Sequence, residues 1–185
     1  MRAKRPSILR GLITGAAAGI TATLIMDQFL KLTTASQKDL EKKVKLAQGE
    51  SPLRIAHQQA QQEKRDAAQE GSTEIVARKL AEAAGTTLDK EQKKSAGQAV
   101  HYTFGTLMGI VYGISAEILP EATTARGTAF GTLLYLSADE LAVPALQLAP
   151  TPRDAPGPDR LQHWAAHVVY GGSLELFRSI LLRLV

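Results

Sequence analysis

Carboxylate and imidazole side chains lie inside otherwise apolar stretches of this 185-residue sequence, where they could exchange protons or bind cations. Ionisable groups inside an apolar helix are costly, and they usually face neighbouring helices or a polar cavity. The candidates are Asp27, His101, Asp139, Glu140, His163, His167 and Glu175. We call this set the candidate site, and the chemistry open to it is proton transfer, ion passage or metal binding.

Two of the histidines have a spacing that suits a metal ion. His163 and His167 are four residues apart, so they lie on one face of a helix. Two neutral imidazoles can bind one metal, and Asp139 could complete the ligand set. The same spacing also occurs where each imidazole simply bonds to a neighbouring helix. A divalent metal is therefore one alternative beside a proton or ion path and a structural role, and the cofactor stays unknown.

Four apolar stretches carry these residues, and each is long enough, or nearly so, to cross a bilayer as a helix. We predict spans at 8–32, 96–118, 126–148 and 161–182. Glycines four residues apart leave a helical face of bare backbone, which favours close helix packing in lipid. These glycines are Gly11, Gly15, Gly19, Gly105, Gly109, Gly113, Gly127 and Gly131. The fold prediction is a single-domain, all-α, four-helix transmembrane bundle.

Residues 33–95, between the first two spans, are polar and carry charges of both signs. We predict water-exposed helices that begin near Ser36, Pro52 and Ser72. Asp89 should cap the helix that becomes the second span. This polar insertion could bind a protein partner or a second copy of the chain. Acids nearly balance bases and aromatic residues are few, so we do not expect nucleic-acid binding.

The charged ends of the sequence predict its orientation. The first ten residues contain no acid and four bases, which are Arg2, Lys4, Arg5 and Arg10. Signal peptides also start this way, but no small-residue cleavage site follows here and Asp27 interrupts the apolar run. Basic flanks stay in the cytoplasm, so we predict that both termini are cytoplasmic. The absence of cysteine from the sequence excludes disulfides and thiolate metal sites.

This topology brings most of the candidate site to the outer half of the bundle. Asp27 ends the first span, His101 begins the second, and the histidine pair begins the fourth. We therefore expect these side chains to converge. We also expect Asp139 to be buried, to face the bundle interior and to have a histidine within hydrogen-bond or one-water reach. Glu175 lies in the other half and could pair with Arg178.

A spacing pattern recurs along the sequence. The first and third spans share two glycines followed by an aspartate, namely Gly15, Gly19, Asp27 and Gly127, Gly131, Asp139. The second and fourth share a histidine four residues before a glycine, namely His101, Gly105 and His167, Gly171. Two helical hairpins duplicated in the same orientation would produce this pattern, as in some transport folds. Chance is the alternative, because small residues four apart are common in membrane helices.

Several motifs in residues 101–185 match a known family. They are His101, Tyr112, the run Ala116-Glu117-Ile118-Leu119-Pro120, Gly127 and Gly131, Pro144 with residues 148–152, and His167 with Ser173, Glu175 and Arg178. On these motifs the segment resembles the YagU-like family of small bacterial inner-membrane proteins. The resemblance implies an integral inner-membrane helical protein and assigns no biochemical activity. Asp139, Glu140 and the polar insertion lie outside the shared motifs.

Three functions are compatible with these features. The first is a membrane protein that relays protons or ions through the candidate site, for example in a stress response. The second is a metal-binding membrane protein or metal-dependent enzyme. The third is a structural or assembly factor that uses residues 33–95 to bind a partner. No nucleophile–base arrangement or phosphate loop is recognisable, so a non-enzymatic role is favoured. A soluble helical bundle also fits spans as short and polar as these.

Overall fold

The computed structural model describes residues 6–148 and 157–184, and within these residues it contains helices and turns but no strand. The prediction of an all-α fold is therefore confirmed. The elements are α1 (Ile8–Ala47), α2 (Pro52–Ala68), α3 (Ser72–Ala83), α4 (Lys90–Ile118), a 3-10 segment (Pro120–Gly127), α5 (Thr128–Ser137), a π turn (Ala138–Ala142), α6 (Val143–Ala145) and α7 (Gly157–Leu184). Arg2, Lys4, Arg5 and the family motif at 149–152 lie outside the described residues.

Helix α1 is much longer than the predicted first span. Its 40 residues extend about 60 Å at 1.5 Å per residue. The predicted new helix near Ser36 is wrong, because α1 continues through this residue. The Ser36 hydroxyl donates to the carbonyl oxygen of Leu32 at 2.9 Å, so it bonds within α1 and caps nothing. The first part of α1 packs in the bundle, and the part beyond Lys31 is largely exposed.

The remainder of the polar insertion packs along α1 and α4. Helix α2 buries Ile55 completely and is linked to α1 by an ion pair between Lys38 and Glu63 at 3.4 Å. Helix α3 lies against α4, where the absence of a side chain at Gly97 leaves room for Glu74. Asp89 begins α4 as predicted, since its side chain accepts from the backbone N–H of Gln92 at 2.9 Å in a reciprocal capping box.

The predicted third span is divided in the structure. Its helix begins at Thr128, after a left-handed turn in which Ala125, Arg126 and Gly127 all have positive φ. It widens into the π turn and ends at Ala145. Pro144 explains the interruption, because its ring clashes with the carbonyl four residues earlier and it has no N–H to continue the ladder. The predicted third span over 126–148 is therefore helical from Thr128 to Ala145, with an irregular turn just before Pro144.

Two antiparallel helix pairs meet through backbone. In the first pair, a methyl group on Gly11 would lie 2.6 Å from the Gly113 carbonyl oxygen, and one on Gly19 would lie 2.9 Å from that of Gly105. Gly15 faces Gly109 between them. Only glycine permits such an approach, so these residues fix the α1–α4 distance. We call this pair the first hairpin.

The second hairpin is formed by α5 and α7. Gly131 lies against the carbonyl of His167, and Gly127 lies against that of Gly171. A methyl group on Gly171 would in turn lie 2.8 Å from the Gly131 nitrogen. Helix α7 also packs along α1, so the two hairpins form one bundle. Their shared core is small, and it consists of Ala18, Ala22, Met26, Tyr112, Leu134, Ala166, Tyr170 and Leu174.

The outer surface of this bundle is apolar. Large aliphatic and aromatic side chains point outward from α1, α4, α5 and α7, whereas the helix contacts contain glycine, alanine, threonine and tyrosine. The exposed residues include Ile8, Leu9, Leu12, Ile13, Ile20, Leu24, Phe104, Leu107, Val111, Leu133, Leu136, Leu176 and Ile180. Among the described helices, α1 alone is long and apolar enough to cross a membrane by length and composition, and 39% of its apolar window is buried. A core helix or a signal sequence could pass the same test.

Candidate functional site

Asp27 and His101 form a direct couple across the first hairpin. The Nε2 atom of His101 lies 3.0 Å from Oδ1 of Asp27, and the Tyr102 hydroxyl donates to Oδ2 at 2.9 Å. Both carboxylate oxygens therefore have a hydrogen-bond partner. The close approach of Gly19 and Gly105 two turns away brings the helices near enough for these short contacts. Asp27 is only partly buried, since 17% of its side chain is exposed.

Asp139 faces both histidines of α7 across the second hairpin. Its Oδ2 atom lies 3.6 Å from Nδ1 of His163 and 3.8 Å from Nδ1 of His167. Nδ1 of His167 also lies 2.9 Å from the carbonyl oxygen of His163. His167 is almost fully buried, whereas 31% of the Asp139 side chain is exposed. Asp139 is thus half-buried, and one water molecule could bridge either gap.

The two couples occupy matching positions in the two hairpins. Gly19 lies against the carbonyl of Gly105 in the first hairpin, and Gly131 lies against the carbonyl of His167 in the second, one helical turn before Gly171. Asp27 follows Gly19, and Asp139 follows Gly131, by the same number of residues. Both hairpins therefore place an aspartate opposite a histidine of the partner helix, with glycine contacts that differ in register by one helical turn. One difference is local, because Asp139 lies in the π turn, a wide turn that is frequent at functional sites.

Glu140, next in the chain, is held apart from the histidines. The Tyr135 hydroxyl donates to its carboxylate, and the Arg160 guanidinium binds it at 3.1 Å. Arg160 lies in the first turns of α7 and is exposed. This contact therefore links the π turn to the start of α7 at the rim of the bundle.

Glu175 belongs to a separate, buried ion pair. Arg178 donates from Nε and Nη2 to the two carboxylate oxygens at 2.8 and 3.0 Å, and the predicted pairing is present. The Tyr112 hydroxyl donates to Oε2 at 2.8 Å, and the Arg178 guanidinium carbon lies 5.9 Å from the centre of the Tyr112 ring. A buried arginine is tolerated only with such a complete set of partners.

The contacts of the described residues divide the candidate residues among four local groups, and their convergence into one cluster stays a prediction. Each carboxylate finds its partners within its own hairpin or at the contact between them. The described residues contain no group of three His, Asp or Glu side chains that could hold a metal ion. His163, His167 and Asp139, the predicted metal ligands, come together only as the loose couple described above.

Several tyrosines complete these groups, although the sequence pattern predicted no such contacts for them. Tyr102 and Tyr112 bond to carboxylates, and the Tyr170 hydroxyl donates to the Gly105 carbonyl oxygen at 2.6 Å. The Tyr135 ring lies 5.6 Å from that of His167. The available signal was a tyrosine inside an apolar span, because a buried hydroxyl needs a partner on another helix.

These features define an all-α protein in which two glycine-packed hairpins carry matching Asp–His couples and share a buried Tyr–Glu–Arg group. The chain belongs to the family described as "Protein of unknown function (DUF1440)", whose model matches residues 65–176. That match includes all of α4 and α5 and both couples except Asp27. No curated protein and no solved structure matches the chain. The YagU-like resemblance stays a prediction.

Proposed function

We propose that this chain is an integral membrane protein of the bacterial inner membrane whose four helical segments at 8–32, 96–118, 126–148 and 161–182 cross the bilayer. The observation that supports this topology is the apolar exterior of the bundle. A water-soluble helix places polar residues outward and apolar residues inward. Here the outward positions of α1 are Ile, Leu and Ala, and its inward positions are Gly, Ala and Thr. Lipid would cover the former, and close packing uses the latter.

Within this bundle, we assign proton exchange to the two Asp–His couples. Imidazole is the side chain that ordinarily changes charge between pH 5 and 8, and a neighbouring carboxylate stabilises its charged form. The matching position of the couples in both hairpins is the observation that carries the assignment, because each hairpin offers a protonatable pair at one height. Helix α3 lies at this end of the bundle, where the Lys79 Nζ donates to the Leu146 carbonyl oxygen at 3.3 Å.

A relay from the couples toward the other end would pass buried hydroxyls. Glu175 lies eight residues beyond His167 on α7, a rise of about 12 Å. The hydroxyls of Tyr170 and Tyr112 lie along this interval, and a hydroxyl can both accept and donate a proton. Water would have to complete the connection. The polar interior therefore supports a relay with its outer end at the Asp–His couples and its inner end at Glu175.

Membrane topology can be tested with introduced cysteines, since the sequence has none. Lys64→Cys places a thiol on α2 of the polar insertion, and Arg183→Cys places one in the last turn of α7. In intact cells, an impermeant maleimide should label the first variant and not the second. Both should label after the membrane is permeabilised. Release of the protein from membranes by alkaline carbonate would refute an integral location.

Proton relay can be tested in sealed vesicles that contain the purified protein and an internal pH dye. After a pH step across the membrane, wild-type protein should speed equilibration compared with empty vesicles. Asp27→Asn and Asp139→Asn should reduce the rate toward that of empty vesicles, because each removes a charge while keeping the side-chain shape. Asp66→Asn on exposed α2 is the matched control and should retain the wild-type rate. A wild-type rate in both couple variants would refute the assignment.

A further inference from the structure

The net charge of the chain comes from three segments of the sequence whose described parts meet at one end of the bundle. At this end α1 begins and α4 ends, with the Ser7 backbone N–H donating to Glu117 at 3.2 Å, and α7 also ends there. The segments 1–12, 114–128 and 174–185 contain seven of the 22 bases and only three of the 18 acids. This difference equals the entire formal charge of +4. The rest of the chain, fifteen bases and fifteen acids, is balanced. We call the described parts of these segments, residues 6–12, 114–128 and 174–184, the basic end.

Two of the three acids at the basic end are neutralised internally. Arg10 donates from Nε to Oε1 of Glu117 at 3.2 Å and forms a second bond through Nη2. This charge-assisted pair occupies both carboxylate oxygens of Glu117. Glu175 is likewise occupied by Arg178. Neither glutamate therefore offers an oxygen to the other bases of this end.

Two arginines at the basic end are left exposed and without a protein partner in the described part of the chain. Arg126 projects from the left-handed turn with φ of 51°, immediately before Gly127, which packs against α7. Arg183 lies in the last turn of α7. Glu121 is the remaining acid and is itself exposed, so the excess charge of this end faces outward.

Exposed apolar side chains adjoin these bases. Ile118 and Leu119 end α4, and Leu184 follows Arg183. More than half of each of these side chains is accessible. Apolar groups beside guanidinium groups match the boundary of a bilayer, where hydrocarbon lies next to phosphate and arginine reaches toward the headgroups. A nucleic acid or an acidic protein would give no reason for the apolar residues.

From this arrangement we propose that the basic end binds the phosphate groups of anionic phospholipids, with Arg126 and Arg183 as ligands. The proposal rests on the membrane location proposed above and is independent of proton relay. The proposal adds to the predicted membrane orientation of the chain, since it requires the basic end to prefer anionic over zwitterionic headgroups. The opposite end, with balanced charge, should show no such preference.

The test is thermal unfolding of the full-length protein in a mild detergent, followed by the fluorescence of the single tryptophan, Trp164. Phosphatidylglycerol, phosphatidylcholine and inorganic phosphate are added separately at equal phosphate concentration. We expect phosphatidylglycerol to raise the Tm more than phosphatidylcholine does. Salt at 0.5 M should remove this difference, because it shortens the Debye screening length to about 4 Å and weakens the attraction between arginine and phosphate. Equal effects of the two lipids would overturn the proposal. An equal effect of inorganic phosphate would overturn it in favour of a free-anion site.

Matched double variants locate the effect. Arg126→Gln with Arg183→Gln should lose at least half of the phosphatidylglycerol shift. Arg54→Gln with Lys64→Gln removes the same charge from exposed α2 and should keep the full shift. Equal losses in both would show a non-specific charge effect and refute the site. If the first double variant does not fold, the salt dependence of the wild-type shift decides. Carbonate extraction of wild-type protein separately tests the membrane location.

Discussion

Two adjacent glycines of α7 allow a direct test of the helix packing. Gly171 faces α5, where an added methyl group would lie 2.8 Å from the Gly131 nitrogen and 3.0 Å from its Cα. Gly172 points elsewhere, and its methyl group would lie 3.7 Å from Cγ2 of Thr128, an ordinary van der Waals contact. Gly171→Ala and Gly172→Ala therefore add the same group to the same helix turn. They differ in what that group meets.

Two opposing effects determine how each variant changes the free energy of unfolding. Replacing glycine by alanine inside a helix stabilises it by about 0.5–1 kcal/mol, and both variants share this gain. At Gly171 the methyl group can be accommodated only if α5 and α7 separate by roughly 1 Å, since the obstructing atoms are backbone. Overpacking of this kind costs about 1–3 kcal/mol. We therefore expect Gly172→Ala to be neutral or stabilising, and Gly171→Ala to lie about 1–3 kcal/mol below it in free energy of unfolding.

The assay is reversible unfolding of both variants in the same detergent, monitored by circular dichroism. Expression and helix content at low temperature serve as controls for folding. Equal unfolding free energies for the two variants would contradict the close α5–α7 packing. A larger loss for Gly172→Ala would show that α7 is rotated relative to the structure described here.

Two further predictions concern charged groups. Tyr112→Phe removes one hydrogen-bond donor from Glu175 and should lower the free energy of unfolding by about 1 kcal/mol. Glu175→Gln leaves the Arg178 guanidinium without its buried counter-charge and should lower it by about 3–5 kcal/mol. Equal losses in detergent unfolding would contradict the burial of this ion pair. Hydrogen bonds from Lys93 and a neighbouring arginine lower the pKa of Glu70 below its ordinary 4.5. A lowered folded-state pKa adds stability above the ordinary value that is lost as the pH falls through the folded value. Hydrogen-exchange protection factors in α3, corrected for the intrinsic pH dependence of exchange, should therefore fall below about pH 4.5 in wild type and lose this fall in Glu70→Gln.

Local signals predicted part of the fold because they act on the backbone within a few residues. Asp89 and Gln92 form their capping box without help from the rest of the chain, and Gly85 ends the third helix with φ of 76° as a left-handed residue. Ser36 had the right residue type to cap a helix but no preceding break. Residues 31–47 contain neither glycine nor proline, so α1 continues until Gly49, where φ is 81°.

The candidate site was less predictable because depth along a helix does not fix direction around it. The sequence predicted similar depths for Asp27 and Asp139, and this suggested one cluster. In the structure, each aspartate contacts a histidine on the partner helix of its own hairpin. The glycine contacts determine which face of each helix meets its partner. The sequence does not reveal that Gly15 contacts Gly109 or that Gly127 contacts Gly171. Tyr112 was missed for the same reason, since its hydroxyl reaches Glu175 on a helix distant in sequence.

The two couples differ in a way that assigns them unequal parts in the proposed relay. Asp27 has a hydrogen-bond partner for each oxygen within 3.0 Å. Asp139 has no histidine nitrogen closer than 3.6 Å, and the π turn around it lacks the regular helix ladder. A carboxylate whose oxygens both have short hydrogen bonds keeps its partners, whereas one with a gap to its imidazole can admit water and change partners. In the relay that we propose, both couples exchange protons, Asp139 is the carboxylate that changes partners during exchange, and Asp27 keeps its partners.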